Sequence, residues 1–128
     1  MIDNYFEFKT NYQKFEVIFQ NRFQVHSSGQ IILSDIYFNQ LPQMIFKIEE
    51  TLEENSPKIL FFIAPKNDSQ WVVKNIQEKG FTSRKDLISE EKAKDVLNDV
   101  VFIHKAKFIG ICESKESCIQ LAIMSLDN

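Results

Sequence analysis

Six consecutive apolar residues, Ile59 to Ala64, constrain the fold of this chain more than any other feature. Pro65 ends the run, and the polar segment 66–70 follows it. A strand with one face in water alternates apolar and polar residues, whereas a short continuous apolar run bounded by turn residues is typical of a strand buried on both faces. The run therefore predicts a central strand over 58–64, in a sheet with helices on both sides.

An aromatic stripe precedes this strand. Its members recur at spacings of three and four residues, which predicts a helix over 3–22, although residues 15–19 also fit a strand. Most aromatic residues are expected in the core, with Phe6, Phe23, Tyr37 and Phe38 as candidates for exposure. The stripe consists of Tyr5, Phe8, Tyr12, Phe15 and Phe19.

Between the stripe and the central strand, the sequence predicts a hairpin and a second long helix. Apolar segments at 23–26 and 30–33 flank a Ser-Ser-Gly turn, a pattern typical of a β-hairpin. Pro42 suits the first turn of a helix, and the apolar spacing continues that helix to about residue 54.

After the central strand, Asn67 and Gln70 form the pattern of a capping box and predict a helix that starts near residue 68. Gly80 would end this helix, with Phe81 completing a Schellman stop.

The last third of the chain predicts two strands between two serine-capped helices. The pairing of the two strands is left open, because the residues between them lack the Gly or Asn of a tight hairpin. The predicted elements are a helix from Ser89 to about Asn98, strands at 100–103 and 107–112, and a helix from Ser114 to Leu126.

The predicted order is α-β-β-α-β-α-α-β-β-α, with no internal repeat and no linker. A length of 128 residues fits one domain, spanning 1–128. We predict an α/β fold, with α+β as the alternative, in which a mixed sheet of about five strands is flanked by helices.

Composition excludes several classes of protein. A hydrophobic content of 44% with 26% charged residues excludes a disordered chain. No apolar stretch approaches the ~20 residues that a membrane helix needs, and the first residues lack the pattern of a secretory signal. The two cysteines do not form a disulfide framework. We expect a soluble cytoplasmic protein with no membrane partner.

The net charge is −3 and is unevenly distributed. Residues 1–64 hold five basic and eight acidic side chains, whereas residues 65–128 hold ten of each. Nucleic-acid-binding domains usually present a basic face. The charge balance therefore predicts no nucleic-acid partner.

Four glutamates near the end of the predicted helix at 42–54 are the first candidate site. Negative charge at a helix C-terminus opposes the helix dipole, and like charges four residues apart repel. Such a local conflict is typical of a functional surface, here one that binds a basic partner, although an ordinary solvated face of small energetic cost also explains it. The candidate partner-binding residues are Glu49, Glu50, Glu53 and Glu54.

The segment 65–69 is the second candidate, because ligands of α/β sheets bind beyond strand ends and beside helix N-termini. It lacks the glycines of a phosphate-binding loop, and a simple helix cap also explains its composition. The candidate ligand-binding residues are Lys66, Asn67, Asp68 and Ser69.

Two further candidates have ordinary structural explanations. Glu113 and Lys115 follow a strand as in some metal-dependent nucleases, with Asp99 as a possible second acid, but charges in a first helical turn are common. Cys118 lies in a first helical turn that favours a thiolate, but a small core residue is the favoured interpretation. His26 and His104 lie in apolar, strand-like contexts, and no residues have the spacing of a metal site.

We therefore interpret the chain as a small acidic protein-binding module, and we favour a role other than catalysis while leaving an enzymatic role open. It would neutralise a basic, nuclease-like toxin by occlusion, as immunity proteins and antitoxins do. No cofactor and no metal are expected. The alternatives are a small-ligand- or nucleotide-binding α/β domain or enzyme using segment 65–69, and a divalent-metal nuclease.

Overall fold

A computed structural model describes residues 2–38, 40–78 and 82–127, with side chains described from residue 9 onward. The predicted helix stop at Gly80 and Phe81, and the side chains of Tyr5, Phe6 and Phe8, lie outside the described residues. None of the described helices is both long and apolar enough to cross a membrane.

The described residues form helices on both sides of a mixed sheet, as predicted. The elements, in chain order, are α1 (Ile2–Gln20), α2 (Arg22–Val25), β1 (Ile31–Leu33), α3 (Leu41–Glu49), β2 (Phe61–Pro65), β3 (Trp71–Asn75), β4 (Gln77–Glu78), β5 (Thr82–Ser83), α4 (Glu90–Lys94), β6 (Val100–Ile103), β7 (Ile109–Cys112) and α5 (Lys115–Leu126).

The main sheet has five strands in the order β1-β2-β3-β7-β6. β1 runs parallel to β2, and the other neighbouring strands are antiparallel. β4 and β5 form a separate two-stranded ribbon. The predicted α/β class and mixed five-stranded sheet are confirmed.

β2 is buried on both faces, which confirms the interpretation of the apolar run. Phe61 and Ile63 belong to the apolar cluster beneath α5, whereas Phe62 and Ala64 belong to the cluster beneath α1 and α3. All four side chains are 0% exposed. Because adjacent strand residues point to opposite faces, this one strand joins the two cores.

Serine caps begin the last two helices at the predicted positions. Ser89 Oγ accepts a hydrogen bond from Lys92 N at 3.2 Å, and Ser114 Oγ accepts one from Ser117 N at 3.1 Å. α4 ends at Lys94, earlier than predicted. This helix also covers part of the outer edge of β6, because Ile103 N donates to Glu90 Oε1 at 3.1 Å.

The predicted helix over 3–22 is confirmed as α1, and the alternative of a strand at 15–19 is wrong. Phe15 and Phe19 are buried, and Phe23 is 50% exposed. The aromatic spacing thus places its described members against the sheet.

The predicted hairpin at 23–33 is wrong. Its first half is the helical turn α2, and its second half, β1, pairs in parallel with β2. Gly29 lies between them with a φ of +69°, and a Cβ at this position would lie 2.4 Å from the Phe23 ring. The Ser-Ser-Gly segment therefore turns the chain from a helix into a strand.

The predicted helix from about residue 68 to Gly80 is also wrong over its described part, which contains strand β3. Asn67 Oδ1 accepts a hydrogen bond from Ser69 N at 2.9 Å, and Lys66 N donates to Gln70 O at 2.9 Å. The polar side chains that suggested a helix cap instead stabilise the turn of the β2–β3 hairpin. The β-branched pair that follows this turn suits a strand.

α3 ends at Glu49, although the sequence predicted helix to about residue 54. Thr51 N and Thr51 Oγ1 both bond to Ile48 O, at 3.1 and 2.6 Å, and so end the helix with a tighter turn. Glu53 and Glu54 therefore lie beyond the helix. The predicted repulsion between helical glutamates four residues apart does not occur.

We expect Phe62→Ala to lower the free energy of unfolding by about 3–5 kcal/mol, because a fully buried ring leaves a cavity in the core. Phe102→Ala is the matched control, since Phe102 is 42% exposed on the same sheet, and its cost should stay within about 1 kcal/mol. Urea unfolding followed by circular dichroism measures both. Equal losses would contradict the central position of β2.

Candidate functional site

Within the part of the chain whose side chains the structure describes, no helix contributes to a buried cluster over half of one sheet face. The buried cluster beneath α1 and α3 contains β1 and β2 residues such as Ile32 and Phe62, but no residue of β6 or β7. On the other face, Val73, Cys112 and Ile103 pack into the cluster beneath α5. The alternate residues of β3, β7 and β6 therefore point to the uncovered side.

These alternate residues form two rows across the strands. Val72 pairs with Ile111, which pairs with Phe102, and Lys74 pairs with Ile109. A shallow depression of about 250 Å³ lies along them and is also lined by Tyr37 and Lys66. We call this surface the open sheet face; its residues are Tyr37, Lys66, Val72, Lys74, Phe102, His104, Phe108, Ile109 and Ile111.

Aromatic rings cluster at the β6–β7 end of the open sheet face. The His104 ring centroid lies 4.5 Å from that of Phe108 and 6.2 Å from that of Phe102. His104 Nδ1 accepts a hydrogen bond from Ala106 N at 3.0 Å, so the neutral ring carries its proton on Nε2. The cluster offers exposed ring surface beside a hydrogen-bond donor.

The sequence left open whether the last two strands pair, and the structure shows that β6 pairs with β7. In the turn between them, Lys107 N donates to His104 O at 2.8 Å. Lys107 adopts a φ of +63°, the left-handed conformation that glycine usually supplies in such turns. Leu87 N donates to Lys107 O at 2.9 Å and so holds the turn in place.

Two lysines supply positive charge to the open sheet face. Lys74 Nζ donates a hydrogen bond to Tyr37 Oη and lies 5.0 Å from the centroid of that ring. Lys66 Nζ lies 3.4 Å from the Gln70 side-chain oxygen. Among the described residues, neither lysine forms an ion pair with a carboxylate. The face can therefore attract an anion that also carries planar rings.

Segment 65–69 contributes less than the sequence suggested. The structure brings Lys66 to the open sheet face, whereas Asn67, Asp68 and Ser69 occupy the exposed hairpin turn. Strand β3 follows this segment in place of the expected helix, and ligand binding by these four residues stays a prediction.

Of the four predicted partner-binding glutamates, Glu49 has a structural role. Arg84 donates to its two carboxylate oxygens at 2.8 and 2.9 Å, and Ile59 N donates to Oε2 at 2.9 Å. The Arg84 and Glu49 side chains are only 8% and 10% exposed. Glu50, Glu53 and Glu54 are exposed, and their role in binding a partner stays a prediction.

Arg84 connects three parts of the fold. Besides Glu49 of α3, it donates to Ile59 O ahead of β2 and to Glu78 Oε1 of β4, each at 2.9 Å. Burial acts to lower the pKa of Arg84, but its bonds to the two carboxylates outweigh burial and raise that pKa. The guanidinium therefore remains charged and fixes α3 to the sheet.

The candidate nuclease residues do not form a metal site. Asp99 accepts a hydrogen bond from Ser114 Oγ at 2.7 Å, and its bonds to Ser117 and Ser114 hold the pKa of this carboxyl below its usual value. Glu113 is exposed. Across 2–38, 40–78 and 82–127, no three His, Cys, Asp or Glu side chains are placed to hold a metal ion.

Cys118 is a core residue. Both Cys112 and Cys118 are free and 0% exposed in the cluster beneath α5. The hydrogen bond with Cys112, followed by burial, raises the pKa of the Cys118 thiol far above its ordinary value. A buried thiol of this kind is not an activated nucleophile.

Comparison with known proteins identifies the family. The family model MYG1 exonuclease, described as an uncharacterised protein family (UPF0160), matches residues 2–126. The MYG1 protein of Dictyostelium discoideum is 30% identical over 118 residues, which cover 84% of this chain and 35% of that protein. This chain belongs to the MYG1 family and spans about a third of the length of that curated relative. No solved structure matches it significantly.

The interpretation as an immunity protein or antitoxin is wrong, because the family match covers nearly the whole chain and points to a different class of protein. That interpretation depended on small size, net acidity and the lack of a catalytic motif. These properties do not distinguish an inhibitor from one part of a larger protein.

We expect Arg84→Gln to lower the free energy of unfolding by about 3–5 kcal/mol, because it leaves the Glu49 carboxylate buried without a cation. Lys94→Gln is the matched control, since Lys94 and Glu90 form an exposed pair at 3.7 Å whose loss should cost less than about 1 kcal/mol. Urea denaturation measures both variants. If Arg84→Gln cost no more than the control, Arg84 would not be a structural link.

We expect neither cysteine to react with a thiol reagent such as dithiobisnitrobenzoate while the protein is folded, because both thiols are buried and the pKa of Cys118 is raised. Both should react promptly in denaturant, which serves as the internal control. Rapid labelling of Cys118 in the folded protein would restore it as a candidate nucleophile.

Proposed function

We propose that this chain binds the polynucleotide strand on which a MYG1-type exonuclease acts, and that the open sheet face is the binding surface. The family name supports a nucleic-acid substrate. The observation that carries the proposal is the presence of Lys66 and Lys74 beside exposed aromatic rings on one uncovered sheet surface.

The chemistry of a single strand matches this surface. Its phosphates carry negative charge along the backbone, and its unpaired bases present flat faces to aromatic side chains. On the open sheet face, the lysines lie on the β2–β3 side and the Phe102, His104 and Phe108 rings on the β6–β7 side. A strand lying across the sheet would place phosphates toward the lysines and bases toward the rings.

We assign the groups that hydrolyse the polynucleotide to residues other than those that the structure describes. Nucleases commonly activate water with a bound divalent metal, which needs several carboxylate or histidine ligands. The described residues do not provide such a set of metal ligands. The chain matches about a third of the length of its Dictyostelium relative. The proposed contribution of this chain is to bind and orient the strand.

The net charge of −3 predicts no nucleic-acid partner. That expectation averages charge over the whole chain. Much of the acidity lies elsewhere, in the Arg84 network and in the exposed glutamates at 50–54. No Asp or Glu is among the residues that line the depression on the open sheet face.

Fluorescence anisotropy with labelled single-stranded RNA and DNA oligonucleotides at low salt tests the proposal. We expect Lys66→Gln with Lys74→Gln to weaken binding and to lower the slope of log K against log salt by about 1.4, since each phosphate contact on a single strand contributes ~0.7. Phe102→Ala should cost about 1–3 kcal/mol of binding free energy if a base stacks on this ring.

The double variant Lys9→Gln with Lys14→Gln is the matched control. It removes the same charge from exposed positions on α1 that do not line the depression on the open sheet face. An equal loss of affinity in this control would mean that the effect depends on net charge alone. No binding of either oligonucleotide at low salt would contradict the proposed function.

A further inference from the structure

A second cavity, of about 280 Å³, adjoins the open sheet face. It lies between the first turn of α3 and the end of β3. Tyr37 and Lys74 line both this cavity and the depression on the face, so they mark the boundary between the two. Among the described residues, its lining consists of Tyr37, Phe38, Leu41, Pro42, Lys74, Asn75, Ile76, Gln77 and Phe108.

The lining has the character of a site for a flat ring. Three of its side chains are aromatic, and Phe38 and Leu41 are only 3% and 6% exposed. The volume falls just below the ~300 Å³ at which pockets for drug-sized ligands begin, so it suits one small ring system. Gln77 adds an amide that can hydrogen-bond to a polar ring edge.

The boundary carries a positive charge without a carboxylate partner. Lys74 Nζ donates to the neutral Tyr37 hydroxyl, and no described Asp or Glu pairs with it. A ring that enters the cavity would therefore leave an attached phosphate next to an ammonium group. Aromatic walls, an amide and a cation at the boundary match the ring, the polar ring edge and the phosphate of a nucleotide.

We propose that this cavity holds one nucleobase of the bound strand, with the phosphate of that nucleotide at Lys74. The inference rests on the proposed function and deepens it, because it assigns one nucleotide to a pocket and the remainder of the strand to the open sheet face. The same pocket takes a free nucleoside 5′-monophosphate, which is the smallest ligand that carries both recognised groups.

Isothermal titration of the full chain with adenosine, guanosine, cytidine and uridine 5′-monophosphates tests this site, with inorganic phosphate as a second titrant. Pro42→Trp places a large ring at an exposed position in the cavity lining and should weaken binding of the monophosphates at least tenfold. Gln43→Trp is the matched control, because Gln43 is exposed on the same turn of α3 but does not line the cavity. Phe108→Ala should weaken binding by about fivefold or more through the loss of one stacking surface.

The outcomes separate this inference from the proposed function. Monophosphate binding that is lost in Pro42→Trp and retained in Gln43→Trp supports the pocket. The inference is overturned if no monophosphate binds at millimolar concentration, if Pro42→Trp binds as well as the control, or if inorganic phosphate binds as tightly as the nucleotides. In those cases, oligonucleotides that still bind through Lys66 and Phe102 would leave the proposed function standing, and loss of oligonucleotide binding as well would remove both.

Discussion

The whole architecture depends on the burial of β2 from both sides. Phe61 and Ile63 anchor the core beneath α5, and Phe62 and Ala64 anchor the core beneath α1 and α3. The hydrophobic effect scales with the apolar area removed from water, so a strand that contributes both faces stabilises two layers at once. Among the described side chains, the buried residues of α1 and α3 pack with residues of β1 and β2 and with none of β6 or β7. This uneven cover leaves β3, β7 and β6 with one accessible surface.

The Arg84–Glu49 pair secures α3 to the segment just ahead of β2. A buried ion pair is weak evidence for stability in itself, because desolvation offsets much of the attraction. Here each partner makes further bonds, to Ile59 N, Ile59 O and Glu78, so few of its polar atoms remain unsatisfied. The pair therefore specifies where α3 meets the strand. It also explains why a glutamate that is unfavourable by local helix rules occurs at the helix end.

Local sequence predicted the features that depend on local contacts. The two-sided strand, the aromatic stripe of α1 and the serine caps of the last two helices follow from composition and spacing within a few residues. The predictions of a hairpin at 23–33 and of a helix after Asn67 were wrong, because pairing with other strands decides the structure of both segments. β1 pairs with a strand about thirty positions later, and the Asn67 side chain suits a turn as well as a cap. Placing β3 in a helix also hid the open sheet face, since Lys74 and Val72 share a surface only in a strand.

The hydrogen bond from Ile103 N to Glu90 Oε1 has a consequence for how this protein can associate. Outer strands offer unpaired amides to which another polypeptide can add, and this is a common route to unwanted assembly. A carboxylate from α4 already occupies one of those amides on β6. Lateral growth of the sheet would have to displace it and leave its charge without this donor. Strand addition at the β6 edge is thereby disfavoured.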